Sequence, residues 1–101
     1  MSSEPARELH LVSRRSDLRA WRHCRARADG GSLVEVVLIH DAVLETEASV
    51  AELLGPKQLD KVAVMACTDD AIQRRVGERW ALIDYAGIIE RCTVADQVTS
   101  W

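Results

Sequence analysis

Residues Leu33 to Ile39 read Leu-Val-Glu-Val-Val-Leu-Ile, with Glu35 the single charge. A strand with one wet face alternates apolar and polar side chains, and this one does not. Such continuity suits a strand covered on both faces, which is the situation of a parallel sheet. Parallel strands need long crossovers, usually helices, so this run predicts helical segments on either side of it.

The rest of the chain supplies them. Leu9-His10-Leu11-Val12 is a short apolar run and is expected to be the first strand. Ser16 is a plausible N-cap and Asp17 suits the positive end of a helix dipole. On a helical wheel Leu18, Trp21, Cys24, Arg25 and Ala28 fall on one side, and Arg19, Arg22, His23 and Arg27 on the other. Asp29-Gly30-Gly31 stops this helix. Glu45 to Leu54 is expected to be helical, with Val50, Leu53 and Leu54 inward and Gly55-Pro56 as its end. Lys61 to Cys67 forms the third strand. Thr68-Asp69-Asp70 opens a helix that runs through Val76 to Gly77. Trp80 to Ile83 is the fourth strand, residues 86–92 a short helix, and Gln97 to Trp101 an edge strand.

The order β-α-β-α-β-α-β-α-β implies parallel strands joined by right-handed crossovers. The fold class is therefore α/β: a single three-layer, flavodoxin-like domain over residues 9–101, mostly parallel, with helices on both faces. Residues 1–8 are polar, contain Pro5 and are expected to form a loose N-terminal extension. With 101 residues, the chain has room for one domain. In such sheets functional groups collect beyond the carboxyl ends of the strands. Here those positions are Ser13, Asp41, Cys67, Thr68 and Asp84.

Several functions are disfavoured. Ser13-Arg14-Arg15-Ser16 is neither GxGxxG nor GxxxxGK[ST], so no nucleotide cofactor is expected. Flavin binding is only weakly suggested by that loop. His10, His23 and His40 repeat no metal-ligand spacing, and no metal is expected. No apolar stretch approaches the roughly 20 residues that span a bilayer. The three cysteines form neither a CxxC nor an even set, which suits a reducing, cytoplasmic setting better than a disulfide framework.

The net charge of −3 hides an asymmetry: residues 1–28 hold seven arginines against three acids, and residues 29–60 seven acids against one lysine. Arg14, Arg15, Arg19, Arg22 and Arg27 form either a solvated helix face or a surface for an acidic protein partner. No aromatic interleaves them on the polar side, so direct nucleic-acid binding is not expected. Cys67 is the thiol best placed for chemistry, at a strand end before a helix N-terminus, a position that favours thiolate. Asp69 and Asp70 oppose that ionisation. Cys24 borders the apolar stripe of its helix, and nothing local recommends Cys92.

Taken together, the segments resemble the TusB/DsrH family. Leu9-His10-Leu11-Val12-Ser13-Arg14 is similar to its opening LHxxxxS. Leu38-Ile39-His40-Asp41-Ala42-Val43 resembles LLxxDGV, with Ala42 in place of Gly. Val62 to Val76 resembles KVYALxxDLxARGL, and Ile83-Asp84-Tyr85-Ala86-Gly87-Ile88 is similar to IDYxGFV. Thr99-Ser100-Trp101 resembles the family's closing SW or AW. The likeness spans about residues 8–101.

The resemblance implies a DsrE/DsrF/DsrH-like α/β sandwich and an accessory role in a sulfur-relay hetero-oligomer with TusC/TusD-like or DsrF/DsrE-like subunits. Such complexes serve 2-thiouridine formation at the tRNA wobble position or sulfur oxidation. Cys24 matches the helix cysteine of DsrH types. Cys67 falls near where sister subunits place their acceptor, before a pair resembling Arg74-Arg75. Either is a candidate sulfur acceptor if the chain is itself a persulfide carrier. Trp101 is a candidate interface anchor, and Arg19 and Arg22 candidate contacts for a donor or acidic subunit. Self-association and a stand-alone binding or regulatory module of the same fold are the remaining alternatives.

Overall fold

The computed structural model describes residues 4–55 and 60–101. Five strands alternate with helices: β1 (Arg7–Val12), α1 (Leu18–Asp29), β2 (Leu33–Leu38), a 3-10 helix (His40–Leu44), α2 (Glu47–Leu54), β3 (Val62–Cys67), α3 (Thr68–Gln73), β4 (Ala81–Ile83), α4 (Tyr85–Val94) and β5 (Gln97–Ser100). All strand pairings are parallel, and the sheet order is β4-β3-β2-β1-β5. The expected α/β class and parallel sheet are present.

Four boundaries differ from the sequence reading. The extension is shorter than residues 1–8, because Arg7 and Glu8 already pair with Leu33 and Val34 in β1. The N-cap of α1 is Asp17, whose carboxylate accepts from Ala20 N at 3.3 Å, while Ser16 adopts φ 58°. Helix α2, expected from Glu45, begins at Glu47 from a capping box in which Thr46 and Ser49 exchange hydrogen bonds of 3.1 Å, and an unexpected 3-10 helix (His40–Leu44) precedes it. Helix α3 stops at Gln73, ahead of positive φ values at Arg75 and Gly77. Pro56, read as part of the stop of α2, lies outside the described residues.

The strand order decides which face each helix covers. The first three crossovers run in one direction along the sheet. The fourth carries the chain back past β3, β2 and β1. With right-handed crossovers, a reversal of direction moves the connecting helix to the opposite face. The core divides accordingly. Val12, Val36, Leu38 and Val62 pack with Trp21, Cys24, Val50 and Leu54 beneath α1 and α2. Leu9, Val37 and Cys67 pack with Ile88 of α4. Asp84 caps α4 by accepting from Gly87 N at 2.8 Å. A Cβ at Gly87 would lie 2.8 Å from Ile83 Cγ1, so glycine lets this helix seat closely on the end of β4.

Candidate functional site

Two clusters gather the chemistry-bearing side chains. The first lies where the sequence placed it, at the carboxyl end of β3. Cys67 is fully buried there among Leu9, Val37 and Ile88, with Met65 and Ile83 beside it. Tyr85, the first residue of α4, brings its phenol into hydrogen-bonding reach of the thiol. Electrostatic interaction with Cys67 foremost, then with Asp70, pushes the Tyr85 hydroxyl above its ordinary pKa of 10.0. Tyr85 itself is 57% exposed, in contrast to the fully buried thiol.

The acids that follow are largely committed to structure. Asp70 is buried and accepts from the His40 amide at 2.9 Å. Arg74 spans Asp70 at 3.5 Å and Asp41 at 3.0 Å, tying α3 to the 3-10 helix after β2. Asp84 is used as a cap. A cavity of about 390 Å³ lies at the opposite, amino end of the strands, between Arg7, Leu33, Lys61, Ala63 and Arg91. It is remote from Cys67.

The second cluster was not foreseen. Glu8 and His10 are two apart in β1, so both side chains point toward α1. Both are buried. Glu8 accepts from Arg27 Nε at 2.6 Å and lies 3.2 Å from His10 Nε2. Burial would raise the Glu8 carboxyl above its ordinary 4.5, but hydrogen bonds from Arg27, Ser32 and His10 outweigh it and hold the carboxyl below that value. Trp101 Nε1 lies 3.2 Å from His10 Nδ1, and the His23 ring sits 5.5 Å from the His10 ring and 5.3 Å from the Trp101 ring.

This geometry assigns the proton on His10. An indole N–H only donates. His10 Nδ1 must therefore present its lone pair, and Nε2 carries the hydrogen that faces Glu8. Ligand atoms of Glu8, His10 and His23 lie within 4.8 Å of one another, a spacing a divalent cation could bridge. The donor set fits a cation poorly. Metal at Nε2 would force the proton onto Nδ1, against the indole N–H, and the Arg27 guanidinium already holds the carboxylate.

The residues singled out from the sequence are thus spread over the molecule. Cys24 is fully buried beneath α1, and its thiol is pushed up to about 12, first by burial and then by the charge of Glu8. Cys67 is 0% exposed on the other face of the sheet. Arg19 and Arg22 are exposed on α1. Trp101 is turned inward: its indole joins the α1-side core and reaches His10, and its carbonyl accepts from Ser13 Oγ at 2.8 Å. The strand order reverses between β1 and β5, the place where open α/β sheets usually leave a ligand crevice. Here Ser13 and Trp101 join across it.

Glu8, His23 and Tyr85 were missed as participants. The available signals were the two-residue spacing of Glu8 and His10 and the four-residue spacing of His23 and Arg27. No protein-family model matches the chain, and no curated protein matches it. No helix among the described residues is long and apolar enough to cross a membrane.

Proposed function

We propose that this chain is an accessory subunit of a cytoplasmic sulfur-relay complex of the TusBCD/DsrEFH type, in which persulfide sulfur passes toward tRNA wobble 2-thiouridine or through sulfur oxidation. The observation that carries the accessory role is the burial of both candidate acceptors, Cys24 and Cys67. A sulfur acceptor needs an exposed thiolate. Cys24 offers neither exposure nor, with its pKa pushed up to about 12, the thiolate form.

The thinly covered face of the sheet supports a subunit role. A helix is about 10 Å across and covers about two strands, so α4 leaves part of a five-stranded face bare. Tyr85 (57%), Ile89 (65%) and Val94 (54%) of α4 are exposed as well. Homologous TusC/TusD-like or DsrF/DsrE-like subunits would bury such side chains.

Native mass spectrometry tests the reading. The isolated chain, exposed to a cysteine-desulfurase persulfide source, should stay unmodified. Co-expressed with such subunits, it should appear in a hetero-oligomer. A sulfur adduct on the isolated chain, lost in a single Cys→Ser variant, would overturn the accessory role. One observation favours that second reading, a direct carrier: the half-exposed Tyr85 neighbours the Cys67 thiol, so solvent lies close to it.

A further inference from the structure

Strand β5 is a short edge strand paired on one side only, with β1. Gln97, Val98 and Ser100 are exposed, and to the backbone ladder that pairs β5 with β1 Trp101 adds a side chain packed against the core. The Trp101 amide donates to Leu11 O at 2.9 Å and its indole donates to His10 Nδ1 at 3.2 Å, the two rings inclined by 24°. We propose that His10 is the pin of an acid-sensitive latch that fastens β5 and Trp101 to β1.

The argument is steric and electronic. His10 Nε2 already carries a hydrogen, so a second proton can enter only at Nδ1. That nitrogen faces the indole N–H. A protonated His10 and a docked Trp101 place two donors nose to nose with no acceptor between them, at an imidazole that is itself fully buried. Protonation of His10 and docking of Trp101 therefore exclude one another.

The groups facing His10 set the sign. Glu8 lies on its own strand, His23 and Arg27 come from α1, Thr99 from β5, Trp101 from just after it, and the uncharged Val36 from β2. Burial first, then the charges of His23 and Arg27, disfavour the imidazolium, while Glu8 favours it. The net effect lowers the His10 pKa from its ordinary 6.5. A group whose pKa is depressed in the docked state takes up its proton more readily once undocked. Docking is thus strongest above about pH 6.5 and weakens as the pH falls toward the lowered value. Glu8 is held below 4.5 and stays ionised through the upper part of this window, so it is not the trigger. Release would open the outer edge of β1 and the crevice that Ser13 and Trp101 now join across.

The latch does not rest on the sulfur-relay reading, and its test needs no partner. Hydrogen exchange of the full chain is followed by NMR from about pH 7.5 to about pH 5, corrected for intrinsic exchange. Protection of the Trp101 indole and amide protons should fall by up to about tenfold per pH unit, while amides of β2 keep theirs. In His10→Asn, whose side-chain oxygen can accept from the indole without titrating, that pH dependence should vanish. In Trp101→Phe, which keeps a ring but loses the donor, the imidazole shifts of His10 should titrate at higher pH than in the parent chain. Unchanged Trp101 protection across the range would overturn the latch. So would an unchanged His10 midpoint in Trp101→Phe, which decides the matter if His10→Asn does not fold.

Discussion

The two faces of the sheet solve the same burial problem with different means. Beneath α1 and α2 the core is continuous and takes in ionisable groups: Glu8, His10 and Glu45 are all buried, each with hydrogen-bond partners. Beneath α4 the core is small, and its carboxylate, Glu35, pairs with Arg91 at the partly exposed rim. The side that carries the helices of the first three crossovers can exclude water, so its buried ionisable groups find protein partners, and among the described residues Trp21 Nε1 is the buried side-chain polar atom left without one. The side with one helix leaves its charges in reach of solvent and its apolar side chains in reach of another molecule. One sequence thus builds a sealed face and a face that remains available.

Core truncation should expose this difference most strongly. Leu38→Ala, beneath α1 and α2, should cost about 2–5 kcal/mol in equilibrium denaturation. Ile88→Ala, beneath α4, should cost about 2 kcal/mol or less, since its cavity opens toward the surface. Equal losses would break the contrast. Thiol reactivity sharpens it next. With a pKa of about 12, Cys24 is ionised in about one molecule in ten thousand at pH 8. Mass-resolved alkylation of the native chain should label the partly exposed Cys92 about a hundredfold faster than Cys24.

The paired carboxylates give a smaller effect. Glu8→Leu strands the buried His10 Nε2–H and should cost about 1–3 kcal/mol. Glu35→Leu, opposite an arginine that water can reach, should cost about 1 kcal/mol or less. A larger loss at Glu35 would mean that the α4 face is as sealed as the other. The smallest effect belongs to α1's outer surface. Arg19→Ala and Arg22→Ala should each change stability by about 0.5 kcal/mol or less, read from denaturation midpoints. Any larger consequence should appear in binding to an acidic partner and fade with added salt.

Much of the scaffold was legible because local pattern has local causes. The β-branched run at Leu33 marked a strand covered on both faces, and the glycines near residues 30 and 31 marked the end of α1. The placement of Cys67, Asp41 and Asp84 at strand ends followed from the alternation alone. Glu8 was misread because a polar prefix with Pro5 looks like a tail, and only pairing with β2 shows that strand β1 begins earlier. His23 was placed on the arginine side of α1 by its wheel position, yet Trp101 of a distant segment leans against it.

The sequence by itself determined the order and type of the strands and α-helices, the parallel sheet and the two faces of α1. These depend on side-chain periodicity and capping, which act over a few residues. Only the tertiary structure decided that β5 adds beside β1 rather than beside β4. That choice placed α4 alone on one face and carried Trp101 to the His10 nitrogen 91 residues away. No local pattern encodes which edge a last strand joins. The crossover direction and the burial of one indole do, and they set where this protein is sealed and where it is open.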